Sequence, residues 1–336
     1  VPIVSFFKVK LYVIVILSVI TITFFNAIGG YIYRPGPLQS KTVVIIPKNT
    51  SIAEITDILS KKQVIAHPKL FEFISYLYSY RYTLKSGEYK LSRRITPYQI
   101  LKKLADGKSI IHRFFIPEGA LVSEIIERLN KEKRLFGKIS GNILEGYLMP
   151  STYFFSYGDQ RQKLVEKMRD EMSKSLDEAM LFLKEDSPLK TRLDVLILAS
   201  IIEKEAGNNR ERAKIAGVFI NRLKKGMKLQ ADPTSAYALT EGKYKLNRPL
   251  TRRDLQIKSP YNTYYIKGLP IGPIACPGRK SLIAAVQPEK TDALYFVIDG
   301  KGGHNFSKTL QGHNNNIIAV KRKLARCKEK TIATCK

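Results

Sequence analysis

The chain has 336 residues, with 57 Lys plus Arg against 29 Asp plus Glu and 44% hydrophobic residues. Apolar content near one half with charge near one quarter excludes a wholly disordered or collagen-like chain and leaves ample material for a core. The net charge of +28 calls for an anionic partner or surface and says nothing about fold. Three scattered cysteines (Cys276, Cys327 and Cys335) with no C-x-x-C pair exclude a disulfide framework and a thiol-based zinc or redox motif.

No residue from Leu11 to Tyr33 is charged, and the run is rich in Val, Ile, Leu and Phe. As a helix it measures about 34 Å, enough to cross a bilayer with some tilt. A soluble helix would need a polar stripe. A cleaved signal peptide would show an apolar region of about 7–15 residues before an A-x-A-like site, and Asn26-Ala27-Ile28-Gly29-Gly30 matches that loosely. The expectation is an uncleaved single-pass anchor over residues 11–33, with 1–10 as a cytoplasmic tail and everything else outside. Lys8 and Lys10 precede the span while Arg34, Lys41 and Lys48 follow it, so charge alone leaves the orientation open.

Arg34-Pro35-Gly36-Pro37 predicts a helix stop and an extended linker over 34–42. Val43-Val44-Ile45-Ile46-Pro47 predicts a short buried strand, and Ser51 with Glu54 has capping-box spacing for an amphipathic helix through Ile55, Ile58 and Leu59. A second helix is expected over 67–80, a strand over 87–91, and a helix over 97–105 closed by Gly107. These form a small α+β module over 43–108. Seventy residues on, Ile46-Pro47, Glu54-Ile55 and Leu59 are echoed by Ile116-Pro117, Glu124-Ile125 and Leu129. Duplication and convergence on the same strand–turn–helix rules both account for the echo. It places a boundary near Lys108-Ser109, and a larger mixed α+β domain follows over 109–320, ahead of a basic tail over 321–336. The whole is an α+β chain behind an N-terminal transmembrane helix. Within the larger domain, 160–184 reads as a charged helix whose apolar stripe is Leu164, Met168, Met172, Leu176, Met180 and Leu183.

The chemistry lies further on. Residues 194–206 read DVLILASIIEKEA, and Gly207 supplies a stop. Such a helix is buried on nearly every side. Glu203 and Glu205 emerge at its end, about 200° apart around the axis, so they cannot act as a juxtaposed pair. Periodicity does not choose between them. Whichever faces the interior is desolvated, which favours its neutral form and suits a general acid; a frayed end with both in water is the alternative. Pro- and Gly-rich loops follow around Asp232-Pro233-Thr234, Ser259-Pro260-Tyr261-Asn262 and 268–278, offering Tyr and Asn as sugar-stacking and hydrogen-bonding groups. A strand over 294–297 leads into a glycine-rich turn, 300–306. His304 and His313 are nine apart, which matches no standard metal spacing, and the turn matches no phosphate-binding pattern.

The segments ASIIEKEAG, VFINRLKKGMKLQADPT, YNTY with GLPIGPIACPG, LYFVIDGKGGHNFS and EGYLMPSTY (from Glu145) occur in the order and spacing of the endolytic murein transglycosylase family, which this chain resembles over essentially its whole length. The resemblance implies a membrane anchor, a lysin-motif-like (LysM-like) module over 43–108 and a catalytic domain. It also implies cleavage of the β-1,4 bond between N-acetylmuramic acid and N-acetylglucosamine within glycan strands, leaving a 1,6-anhydro end. It selects Glu205 over Glu203 as the single general acid/base. Gln230, Asp232, Thr234, Tyr237, Tyr261 and Asn262 are expected saccharide contacts, with Glu145, His304 and Asn314 as further cleft residues; each also suits a turn or capping role. No metal or cofactor is implied. The expected setting is the bacterial inner (cytoplasmic) membrane with the catalytic domain in the periplasm, and the expected partners are peptidoglycan strands and cell-wall synthases such as penicillin-binding proteins. The family often has Asp where Ser151 stands, Pro where Ile271 stands and a small polar residue where Cys276 stands. A non-catalytic glycan-binding scaffold would share the anchor and loops without needing a sheltered carboxylate. Charge alone would also suit a nucleic-acid binder, but no RRM or KH signature is present and no nucleic acid is expected.

Overall fold

In the computed structural model, which describes residues 2–334 and the side chains of 11–323, the chain begins with helix α1, Pro2–Tyr33. Its Leu11–Tyr33 stretch is long and apolar enough to cross a membrane. The side chains of Leu11, Ile14, Leu17, Ile20 and Phe24 stand exposed, uncovered by any of the described residues. The basic side chains of the first ten residues, and those of the tail beyond Lys323, lie outside the described residues.

The first of two units comprises 1–112 with 154–159. It holds β1 (Thr42–Ile46), α2 (Ile52–Lys61), α3 (Pro68–Ser79), β2 (Gly87–Leu91) and α4 (Pro97–Asp106). β1 and β2 run antiparallel in the register Thr42↔Leu91 to Ile46↔Gly87. The strand read as buried is instead half-buried: Val44 and Ile46 face the core while Val43 and Ile45 face out, because a two-stranded sheet has one covered face. Ser51–Glu54 and Thr96–Gln99 form reciprocal capping boxes at α2 and α4, and α4 ends on Gly107 at φ +69°. Residues 34–41 form no regular element but are held to this unit, with Gly36 N–H bonded to Ile95 O at 3.1 Å and Leu38 buried. The last turns of α1 pack Ile28, Tyr31 and Ile32 against the same core.

The second unit comprises 113–153 with 160–336. The remaining elements are β3 (Ile111–Phe115), α5 (Val122–Lys131), β4 (Thr152–Ser156), α6 (Arg161–Met180), α7 (Arg192–Glu205), α8 (Arg212–Lys224), α9 (Asp232–Thr240), α10 (Arg279–Val286), β5 (Tyr295–Ile298), β6 (His304–Ser307) and α11 (Leu310–Thr334). β3 pairs with β4, and β5 with β6 in an antiparallel hairpin. The architecture is mixed α+β. The glycine-rich turn is shorter than its sequence suggests, since His304 already lies in a strand, and α11 runs on to Thr334.

α7 is the axis of the second core. Every residue from Val195 to Ile202 is buried, surrounded by α6, α8, α9 and α10. Its one polar member in that run, Ser200, donates to Ile197 O at 2.7 Å and accepts the N–H of Ile274 at 3.0 Å. A buried hydroxyl is thereby satisfied, and the 268–278 loop is stitched to the central helix. The same loop exchanges backbone bonds with the segment before α5, Cys276 N to Ala120 O and Gly119 N to Cys276 O, both at 2.9 Å.

Candidate active site

α7 delivers two glutamates to opposite surroundings. Glu203 is almost fully buried and completely engaged: Oε1 meets the Arg212 guanidinium at 2.7 Å, while Oε2 accepts the N–H of Gly278 and the hydroxyl of Ser281, each at 2.9 Å. A buried carboxylate with a paired cation and two donors is a structural fixture. Glu205, at the last helical position, is only partly buried and lines an open cleft of about 510 Å³. Burial of its carboxyl, with the Asp232 carboxylate facing it, pushes its pKa up to about 8 against a smaller opposing pull from Arg222. The proton is therefore retained at neutral pH, as a general acid requires.

The cleft walls come from five places. Arg222 on α8 donates to Leu294 O at 2.7 Å and Leu229 O at 2.8 Å, which fixes the hairpin and the 229–232 turn to the helix. Gln230 and Asp232 line the cleft, and Tyr264 donates its hydroxyl to Asp232 Oδ1 at 2.6 Å. The β5–β6 hairpin contributes Tyr295, Phe296 and His304, and α11 contributes His313, whose ring stacks on Tyr295 at 5.4 Å. Burial and the nearby Arg222 charge lower the pKa of His313. A second cleft of about 570 Å³ lies between the 117–121 segment, Lys204, Tyr237 and Tyr244, and Asp232 lines both. Among the described residues no group of three or more His, Cys, Asp and Glu is arranged to hold a metal ion.

The residues expected from the sequence thus fall in different places. Glu205, Gln230, Asp232 and His304 line one cleft, and Tyr237 lines the adjoining one. Tyr261 packs its ring on Tyr237 at 4.8 Å. Thr234 is buried, its hydroxyl bonded to Ala231 O at 2.6 Å and to the Thr263 hydroxyl at 2.8 Å. Asn262 is fully buried too; its amide donates to Leu255 O and Ile257 O, and its oxygen accepts Ser235 Oγ. These two hold the loops that carry the cleft residues. Glu145 accepts the N–H groups of Val122 and Gly146 and touches Cys276 Sγ at 3.8 Å; burial pushes its carboxyl up to about 7. Cys276 is a free, buried thiol whose pKa burial raises, so it is kept out of thiolate chemistry. Asn314 is exposed on α11 and lines neither cleft.

Sequence reasoning did not find Arg222, Tyr264, Tyr295, Phe296 or His313. Arg222 sits in a basic run that reads as a solvated face, and only packing reveals that it is buried. The aromatic pair beside the glycine turn was the available signal for the hairpin wall. Asp232, 27 positions beyond Glu205, is an expected saccharide contact; what the sequence did not show is that its carboxylate acts on Glu205.

A model of the YceG-like family matches residues 44–319. An endolytic murein transglycosylase of Bacillus subtilis (strain 168) is 35% identical over 320 residues, spanning 85% of this chain and 87% of that protein. One from Streptococcus pneumoniae serotype 2 (strain D39 / NCTC 7466) is 27% identical, spanning 92% of this chain and 65% of its own length. The crystal structure of a putative YceG-like protein from Listeria monocytogenes, 34% identical, superposes with a TM-score of 0.52, covering 82% of this chain and 99% of that one.

Proposed function

The chain belongs to the YceG-like family, and from that premise we propose that it is an endolytic murein transglycosylase, a lyase that cuts the β-1,4 bond between N-acetylmuramic acid and N-acetylglucosamine inside glycan strands. The observation that carries the reading is Glu205: a carboxyl in an open cleft that keeps its proton at neutral pH. Glu205 gives that proton to the glycosidic oxygen as the C1–O bond breaks. Its carboxylate then takes the proton of the muramoyl C6 hydroxyl as O6 closes on C1. No water is consumed, and holding O6 over C1 replaces a bimolecular attack by an internal one. Gln230, Asp232 and His304 would grip the sugars on either side, with Tyr237 in the adjoining cleft.

The order strand, two helices, strand, with β1 and β2 antiparallel, supports a LysM-like glycan-binding role for the first unit. The 23-residue apolar stretch of α1 supports a single-pass anchor in the cytoplasmic membrane with both units outside, where the +28 charge would face anionic lipid and wall polymer. Cell-wall synthases are the partners this setting would bring close.

Asp232 favours one other reading, in which a second carboxylate activates water and the enzyme hydrolyses the bond. The products decide. Full-length protein in detergent, incubated with purified sacculi, is expected to release anhydromuropeptides, each one water lighter than a hydrolytic product by mass spectrometry. Glu205→Gln is expected to lower that release by at least about 100-fold. Equal release from the variant would overturn the mechanism, reducing-end products would favour hydrolysis, and glycan binding without any cleavage would leave a scaffold.

A further inference from the structure

The loop that leaves Glu205 also holds another wall of its cleft. Six residues on, Glu211 accepts the backbone N–H of His304 on Oε1 and meets the ring Nδ1 with Oε2, both at 2.9 Å. Asn208 adds a bond from its amide to Gly302 O at 3.1 Å, while its own oxygen accepts the N–H groups of Arg210 and Glu211. Position 303 must be small for this clamp to close: a Cβ there would lie 2.7 Å from Glu211 Oε1 and 3.2 Å from Asp299 Oδ2. The imidazole is walled by Phe296, whose ring meets it edge-on at 5.4 Å, and it lines the cleft beside Glu205.

A carboxylate only accepts hydrogen bonds, so the ring nitrogen facing it must carry the proton. In the neutral imidazole Nε2 is then a bare acceptor. Nothing else in the mechanism above uses Glu211. We propose that Glu211 is a positioning residue: it locks His304 in the Nδ1–H tautomer and so presents Nε2 as an acceptor for a sugar hydroxyl in the Glu205 cleft. The inference rests on the transglycosylase reading for its substrate, and on geometry alone for the tautomer.

Glu211→Gln tests it with a near-isosteric change. The glutamine amide must turn its NH₂ either to the backbone N–H of His304, donor against donor, or to Nδ1, which must then lose its proton. With only four histidines in the chain, ¹⁵N NMR of the imidazoles can follow His304 in the detergent-solubilised full-length protein, assigned with His304→Ala. The neutral ring is expected as Nδ1–H in the parent and as Nε2–H, or a mixture, in Glu211→Gln. On sacculi, kcat is expected to fall about tenfold while KM changes less than about twofold. In a His304→Ala background the same substitution is expected to cost less than about twofold, because the ring it acts through is gone. An unchanged tautomer, or the same loss in both backgrounds together with a lowered Tm, would overturn the proposal and leave Glu211 as a structural brace. A parent protein that releases no anhydro product would remove the reaction reading, while the tautomer measured on that protein still decides whether Glu211 sets the ring.

Discussion

Glu203 and Glu205 share a helix and a sequence neighbourhood, yet one is neutralised by Arg212 and two donors while the other keeps a proton over an open cleft. The difference is directional: about 200° of rotation sends one carboxyl into α10 and its loop and the other into the groove. A pH dependence follows. Because the Glu205 pKa is raised, from 4.5 to about 8, the acid form that the proposed first step requires is lost as pH rises through about 8, and on that proposal kcat/KM on sacculi is expected to fall there. The same shift acts on stability with a definite sign. The folded protein binds this proton more tightly than the unfolded chain does, so the contribution is fully present below about 4.5 and is lost as pH climbs toward 8. Glu145, pushed up to about 7, works in the same direction. Glu205→Gln removes the titration, so its Tm relative to the parent is expected to rise between about pH 5 and pH 8 and to level off above that. A pH-independent difference would mean the carboxyl is not held in its neutral form.

At the scale of elements, the local signals in the sequence carried far. α2 and α5 are ten-residue helices 70 positions apart, each opened by a glutamate at the third position, Glu54 or Glu124, whose carboxylate accepts the N–H at the cap. The repeated glutamate therefore belongs to a helix start, a short-range device that sequence displays directly, while the repeated Ile and Leu residues are buried in the core. Contacts between distant segments were not displayed. Gly217, inside α8, looks like a weak helix residue that alanine would improve by about 1 kcal/mol. Its missing Cβ is instead the space occupied by a strap: a Cβ there would lie 2.4 Å from Glu289 O and 2.9 Å from Thr291 Cγ2. The strap cannot easily yield, since Asn221 holds Thr291 O at 2.7 Å and Ala293 O at 3.1 Å. Overpacking outweighs propensity here. Gly217→Ala is expected to destabilise the protein by about 1–3 kcal/mol, read as a lower urea midpoint at unchanged m.

For the whole molecule, α1 and the charge balance point the same way. A helix that exposes Leu11, Val13, Ile14, Leu17, Ile20, Phe24 and Phe25 without one charge between Leu11 and Phe25 cannot remain so in water, while Ile28, Tyr31 and Ile32 pack against the core of the first unit. Expressed in full, the chain is expected to stay with the membrane pellet after alkaline carbonate extraction. A chain beginning at Asn26 should appear in the soluble fraction with an unchanged Tm, whereas one beginning at Arg34 should melt lower because it loses those three core residues. Release of the full chain by carbonate would remove the anchor.

The sequence by itself determined what depends on near neighbours: the apolar stretch, the caps and breaks of the helices, the buried run that became α7, and the family carried by its motifs. Periodicity could not tell Glu203 from Glu205, and residue type could not tell Gln230 and Asp232, which line the cleft, from Thr234 and Asn262, which brace it. The family resemblance had already singled out Glu205; the tertiary structure added which of these groups face the cleft and which are already bonded. Which way a side chain faces, and whether its hydrogen bonds are already taken, is set by segments tens of residues away: Arg212 and Ser281 for Glu203, Thr263 for Thr234, Glu211 for His304. Desolvation and pairing act through space, and sequence distance does not measure them.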